Sequence, residues 1–399
     1  MHILLGHNFY GSTAPSGENQ VFDAESELLQ QRGHVVNEFT RYSDAIRANG
    51  MYGALQGAFS TPWNPFAAKA MVEMLNVMQP EVVHVHNTFP LISPSIFHAI
   101  GQRAARILTL HNYRLFCPAA ILMREGKVCT DCLDRRNVLS ALQHGCYRGS
   151  RLATLPLAAN VALHRFLGTW TNQVDAFITF SEFQRERMVK AGLPASRVYV
   201  KPNFYPGHPK VLPWAERPGY VAFVGRLSEE KGVHALLKAW LAWGNRAPEL
   251  RIVGDGPLRE QLESMAESLP VRFLGQLPAA EAQAHIASAS LVLLPSECFE
   301  GFPMVVREAF AFGTPAAVSN LGPLPLIVKH GKSGVVFEAA NPESLLNTVR
   351  AAWQSPDVLE QLGQGARQAF EALYNEDANY QTLMHIYEQA IAQNKRSKK

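Results

Sequence analysis

Short apolar runs alternate with amphipathic stretches along most of the chain. In the first half, 2–6, 81–86, 106–110, 176–180 and 198–201 have the length and apolar character of buried strands. A helix is expected over 21–32, closed by Gly33. Residues 202–218, PNFYPGHPKVLPWAERP, lack periodicity and are dense in proline, which predicts a linker. A second series follows: strand 220–224, helix 233–243, strand 250–253, helix 258–268, strands 271–274 and 291–295, and a helix over 303–312 that stops at Gly313. Residues 342–393 read as helical, and the terminal KRSKK carries no structure signal. Strands alternating with helices at this spacing call for parallel sheets covered on both faces, an α/β fold.

With 399 residues, 47% hydrophobic and 18% charged, the chain is expected to form two packed domains rather than a disordered one. No apolar run reaches the length of a membrane span, and the opening MHILLGHNF reads as a first strand and not as a signal peptide. A cytoplasmic protein is expected. The net charge of +3 is unevenly spread: residues 1–210 hold 20 Lys/Arg against 14 Asp/Glu, and the remainder 17 against 20. Residues 101–151 alone hold nine basic and three acidic side chains. Such a surface suits an anionic partner, a membrane surface or a phosphorylated lipid, against the plainer reading of a solvated basic face. No nucleic-acid partner is expected.

Candidate chemistry collects at strand ends. Arg226 and Lys231 share the loop after strand 220–224, flanked by Gly225 and Gly232; a guanidinium fork and an ammonium could together neutralise a diphosphate. Gly254-Asp255-Gly256 is a tight turn where backbone can approach a flat ring. Glu300 precedes the helix 303–312 and Glu308 lies inside it, near a helix N-terminus that favours phosphate. Carboxylates there would accept hydrogen bonds from sugar or ribose hydroxyls. In the first half, His111 follows a strand and is read as facing substrate, whereas His84 and His86 are read as satisfying local backbone groups.

The order and spacing of these segments resemble glycosyltransferase family 4, the retaining nucleotide-sugar glycosyltransferases of GT-B fold. The matching residues are VGRLSEEKG (224–232), LRIVGDGPLREQLE (250–263), VRFLGQL (271–277) and PSECFEGFPMVVREAFAFGTP (295–315). Looser matches are SGENQVFDAESELLQQRGHVV (16–36), VVHVHN (82–87), TLHNYR (109–114), ITFSEFQRERM (178–188) and VKPN (200–203). The resemblance implies two Rossmann-like doubly wound domains with a cleft between them: an acceptor domain over 1–205 and a nucleotide-sugar domain over 206–375. It leaves 376–399 as a helix, packing back on the first domain, and a basic tail. It further implies that Arg226 and Lys231 bind the donor diphosphate, Glu308 the ribose and Glu300 the donor sugar. Gly301, Phe302 and Pro303 would cradle the distal phosphate with their backbone, Gln276 and Leu277 meet the base, and His111 sit by the reacting carbon. Gly17 would face the donor phosphates, although Ser16-Gly17-Glu18 departs from the paired glycines usual there. The donor would be a UDP- or GDP-sugar, the acceptor a glycan or lipid-linked saccharide, and no cofactor would be needed for catalysis. The implied role is in bacterial surface polysaccharide synthesis, at the inner face of the cytoplasmic membrane. A nucleotide-sugar epimerase or phosphorylase, or a non-enzymatic two-lobed binding protein, are the alternatives.

Four of the five cysteines, Cys117, Cys129, Cys132 and Cys146, fall in an insertion at about 115–150. A C-x₂-C with flanking cysteines is a candidate tetrahedral thiolate site, so structural zinc is expected there, with plain or redox thiols or an iron–sulfur centre as alternatives. The stretch 151–170 is apolar with interspersed basic residues, a core helix or a helix lying on a membrane surface.

Overall fold

A computed structural model describes residues 1–11 and 16–397. The chain divides into two compact units, one made of 1–122, 130–202 and 379–399, the other of 203–378 together with 123–129. The first unit holds strands β1 (His2–Phe9), β2 (Val35–Tyr42), β3 (Val82–Asn87) and β4 (Ala105–Thr109). A small antiparallel hairpin, β5 (Met123–Arg124) and β6 (Lys127–Val128), precedes β7 (Ala176–Thr179) and β8 (Val198–Val200). The large sheet of this unit is parallel, in the order β2-β1-β3-β4-β7-β8. The second unit holds β9 (Val221–Val224), β10 (Leu250–Val253), β11 (Val271–Gly275), β12 (Leu291–Leu294), β13 (Ala316–Ser319) and β14 (Gly334–Phe337). They form a parallel sheet in the order β11-β10-β9-β12-β13-β14.

The strand orders position the site. In the second sheet the order reverses between β9 and β12, and in the first between β1 and β3. At such a switch point the loops leaving the two strands diverge to opposite faces and open a crevice at their C-terminal ends. The loops that matter are therefore 225–232 and 295–303 in one unit, and those after β1 and β3 in the other.

Every residue of β3 is buried, the pattern of a central parallel strand covered on both faces. Ile3, Leu5, Ile107 and Ile178 of the same sheet pack with Phe22 and Leu29 of the helix Gly17–Gln31 and with Leu383, Ile386, Tyr387 and Ala390 of the helix Glu376–Ser397. Each large aliphatic side chain so buried contributes about 1.5–3 kcal/mol.

Several details differ from the sequence-based expectation. The helix Glu376–Ser397 runs through Lys395 and Arg396, the first residues of the terminal basic run, because its apolar face carries it onward. The insertion is divided, with 123–129 grouping with the second unit. Gly17 is the first helical residue after Ser16 and not part of a loop. The loop expected after the first strand is shorter, because β1 extends to Phe9, and its 12–15 segment lies outside the described residues. β2, β13 and β14 were not expected. β2 is an edge strand with largely polar, partly exposed positions, and the other two are short apolar runs without alternation.

Candidate active site

In the second unit, close backbone approaches lock the crevice loops together. Gly232 has φ 68°, and a Cβ there would lie 2.0 Å from the Pro295 carbonyl oxygen. Gly254, at φ 132°, would place a Cβ 2.0 Å from the Gly225 carbonyl oxygen. Only glycine fits either position. The Glu297 N–H also donates to the Glu230 carbonyl at 2.9 Å. These contacts bring the loop after β9 against the turn after β12.

The consequence is an ion pair. Lys231 Nζ lies 2.7 Å from Glu300 Oε1, which also accepts from Ser296 Oγ at 2.5 Å. Burial would raise the Glu300 carboxyl, but the Lys231 ammonium and the two hydrogen bonds outweigh it and hold the group below its ordinary value. Burial would likewise lower the Lys231 ammonium, and Glu300 raises it. Both groups are therefore charged at neutral pH. Arg226, on the same loop, is exposed.

Glu308 lies in the helix Met304–Ala311 with its side chain 12% exposed. Arg307 Nη2 lies 3.4 Å from its Oε1, and Gln283, itself bonded by the Tyr205 hydroxyl at 3.0 Å, also contacts it. Burial raises the Glu308 carboxyl. Phe302 is buried and Pro303 caps this helix. Gly256 packs where a Cβ would meet the Leu227 carbonyl oxygen, and Gln276 and Leu277 follow β11, Gln276 exposed.

The first unit holds a connected polar network at its switch point. Glu25, fully buried on the core face of the helix Gly17–Gln31, places Oε1 3.0 Å from His84 Nδ1 and 3.2 Å from His86 Nε2. Its Oε2 lies 2.7 Å from Lys201 Nζ, which also reaches Asn379 Oδ1 at 3.3 Å. His84 is tied further to Tyr387 Oη at 2.9 Å and to Thr109 Oγ1 at 2.7 Å. His86 Nδ1 lies 3.1 Å from His111 Nε2. Burial alone would raise the Glu25 carboxyl; Lys201, His84 and His86 hold it well below the usual carboxylate range. Burial pulls His86 down to about 4 and His111 well below its ordinary value, neighbouring imidazoles adding to both effects. A buried charge is tolerated only when paired, and here one carboxylate serves one ammonium and two imidazoles. Sequence reasoning missed Glu25 and Lys201. The available signal was an acidic residue on the same helical stripe as Val21, Phe22, Leu28 and Leu29.

His111 opens on a small cavity of about 50 Å³, which Glu18, Asn112, Arg114, Asn160 and Trp170 also line. Glu18 accepts from Asn112 Nδ2 at 2.6 Å through Oε1. Its Oε2, with Arg114 Nε, Asn160 Oδ1 and Trp170 Nε1, is buried without a protein partner. Four unsatisfied polar atoms around one void mark a place for a hydroxylated ligand or water.

The four cysteines expected to hold zinc are not gathered into one group in this structure. Among the described residues, the group of three or more possible metal ligands whose donor atoms lie within 4.8 Å of one another is Glu25, His84 and His86, and the set Cys117, Cys129, Cys132 and Cys146 is not such a group. In the Glu25 cluster the Lys201 ammonium already supplies the compensating cation, and an added divalent ion would meet its repulsion.

The family described as Glycosyltransferase Family 4 matches residues 16–206, and Glycosyl transferases group 1 matches 206–369. The sulfoquinovosyl transferase of Arabidopsis thaliana is 33% identical over 161 residues, 39% of this chain and 30% of the relative. A glycogen synthase of Thermus thermophilus is 40% identical over 135 residues, 33% of this chain and 30% of the relative. The matched part is thus about a third of the length of each of these curated relatives. In fold, the Anabaena protein HepE, solved in complex with UDP and glucose, superposes with a TM-score of 0.64 at 18% identity, covering 97% of this chain and all of that one.

Proposed function

We propose that this chain, which belongs to the family 4-like glycosyltransferases of GT-B fold, transfers a sugar from a nucleotide-sugar donor to a lipid-linked glycan acceptor with retention of anomeric configuration. The observation that carries the donor half is the Lys231–Glu300 ion pair at the β9/β12 switch point. It sets a cation for phosphate beside a carboxylate for sugar hydroxyls.

Breaking the anomeric C–O bond builds negative charge on the departing nucleoside diphosphate and positive charge on the sugar ring. Arg226, Lys231 and the N–H groups that open the helix Met304–Ala311 stabilise the first charge. Lys231 and the helix N–H groups are fixed before reaction, so their effect falls mainly on the transition state. Both hydrogen bonds made by the Glu300 side chain use Oε1, which orients Oε2 for the sugar hydroxyls. Glu308 holds the ribose, and Gly254, Gly256, Gln276 and Leu277 border the base. His111 sits by the reacting carbon, and attack on the same face as departure, assisted by the leaving phosphate, gives retention. UDP is the nucleotide favoured, on the likeness to HepE.

The acceptor is read as a polyprenyl-diphosphate-linked saccharide or another glycolipid of bacterial surface polysaccharide synthesis, met at the cytoplasmic face of the membrane. The basic excess of residues 1–210 supports this. No helix among the described residues is long and apolar enough to cross a membrane, and the attachment is read as peripheral. The test is transfer from a panel of UDP- and GDP-sugars to a polyprenyl-diphosphate-linked saccharide, with nuclear magnetic resonance of the product to give its anomeric configuration. Retained configuration in a lipid-linked product supports the reading. Conversion of the donor sugar without acceptor identifies an epimerase instead, and binding without turnover a ligand-binding protein.

A further inference from the structure

We infer that a groove in the first unit, between the helices Gly50–Ser60 and Arg151–Phe166, binds the phosphate and adjoining chain of a lipid phosphate; this deepens the acceptor reading above and rests on it. The groove encloses about 620 Å³. Its apolar lining includes Ala54, Leu55 and Ala58 from the first helix and Leu152, Ala153 and Leu157 from the second. Small side chains keep the slot open, and leucines give it greasy walls. A slot of this size can take a drug-sized length of chain.

The polar lining is of one sign. Arg47, Arg114 and Arg148 line the groove and no carboxylate does. Arg114 packs its guanidinium over the Phe89 ring at 4.4 Å, and Arg148 lies 5.2 Å from the Tyr147 ring centre. Stacking of this kind fixes the plane of a guanidinium while leaving its edge available, the presentation that suits phosphate oxygens. Arg114 Nη1 donates to the Pro118 carbonyl at 3.1 Å, and its Nε is buried with no protein partner.

Two further observations select a lipid over a soluble phosphate. First, the groove adjoins the cavity beside His111, the residue read above as facing the reacting carbon: Phe89 and Arg114 line both. A phosphate gripped by Arg114 would therefore lie next to the place where an attached sugar must react. Second, the rims are apolar and face outward. Met51, Leu55 and Phe59 recur at helical spacing on one helix, and Leu152 and Leu155 on the other, with Phe59 77% and Leu152 82% exposed. An apolar rim flanking a cationic slot matches a chain leaving a bilayer with its phosphate drawn inward. A free sugar phosphate would use the arginines and leave the apolar walls without a function.

The test uses the full chain and farnesyl monophosphate, farnesol and inorganic phosphate as probes, titrated by calorimetry below the aggregation concentration of the lipids. Farnesyl monophosphate is expected to bind at least tenfold more tightly than either farnesol or phosphate. Ala153→Trp, which fills the slot, and Arg148→Glu, which reverses a charge on an exposed residue, are each expected to weaken that binding about tenfold or more. UDP affinity should stay unchanged in both variants, which shows that they are folded. Wild-type affinity for farnesyl monophosphate in both variants, or equal affinity for the three probes, overturns the groove while leaving UDP binding and glycosyl transfer intact. Loss of dimers on Ala153→Trp, without any lipid binding by the wild type, would assign the face to a second copy of the chain and also overturns it. Failure of the glycosyltransferase reading is separable, since it appears as absent UDP and GDP binding.

Discussion

His86 Nδ1 and His111 Nε2 lie 3.1 Å apart, and the other nitrogen of His86 faces the Glu25 carboxylate at 3.2 Å. A carboxylate accepts only, so His86 carries its proton on Nε2 and presents Nδ1 as an acceptor. His111 must then donate from Nε2, which leaves its own Nδ1 unprotonated. Burial keeps both imidazoles neutral at pH 7. Glu25 thus sets the tautomer and orientation of His111 through His86. His86→Leu is expected to lower kcat by up to about 10²-fold, a positioning loss, with donor KM little changed. His86→Gln, which can donate to Glu25 and accept from His111, should recover most of that loss. Equal kcat for wild type and His86→Leu would remove the relay from the reaction.

The donor assignment is tested on the charges that meet the leaving group. Arg226→Ala or Lys231→Ala should each lower turnover about 10²–10³-fold, or roughly 2.7–4 kcal/mol of transition-state stabilisation. Lys231→Ala carries an additional effect, because Glu300 then keeps its burial without its ammonium. Glu308→Ala should instead weaken nucleotide affinity at nearly constant kcat, since ribose contacts persist from ground state to transition state. Steady-state kinetics with calorimetric UDP binding separates these patterns. Unchanged turnover in both cation variants would sink the diphosphate role.

Membrane attachment, if driven by the basic first half, must respond to salt. Flotation with vesicles of anionic lipid should recover the chain at low ionic strength and lose much of it at high, because the screening length shrinks from about 10 Å at 0.1 M to 3 Å at 1 M. Vesicles of neutral lipid should recover less. Equal recovery in all conditions would leave only the apolar rims to account for binding.

The two loops 225–232 and 295–303 were legible because each is a short local run of glycines and charged residues after a strand, and the structure brings them into contact. That Lys231 and Glu300 bond to each other was not legible, since 69 residues separate them and only the β9/β12 adjacency brings them together. The same holds more strongly for Glu25 and Lys201, 176 residues apart. His84 and His86 read as local because a strand shows only its own periodicity, whereas their partners come from two helices and a neighbouring strand. The cysteines were grouped on spacing alone, and the structure does not gather Cys117, Cys129, Cys132 and Cys146 into one cluster.

Acid should destabilise the first unit well before its carboxylates titrate. Burial holds His7, His86 and His164 each at about 4, against an ordinary value near 6.5. A group whose pKa is lower in the folded than in the unfolded state binds fewer protons when folded. Its stabilising effect is complete above the unfolded value and is lost as pH falls toward the folded one. The window is therefore pH 6.5 down to 4. A single uncoupled histidine shifted that far is worth up to about 3 kcal/mol across it. Glu25, held well below the carboxylate range by Lys201 and its two histidines against the raising effect of burial, keeps its own contribution until still lower pH. His164 is the cleanest reporter: its two nitrogens are bonded to Thr169 Oγ1 and the Pro62 carbonyl at 2.9 Å, outside the His111 network. Urea midpoints measured from pH 7.5 to 4.5 should fall steeply below 6.5. In His164→Gln the midpoint should be lower at pH 7.5 and the fall shallower. A wild-type midpoint flat across that range would show that the folded and unfolded chains take up protons alike, and would remove the lowered pKa of these buried imidazoles.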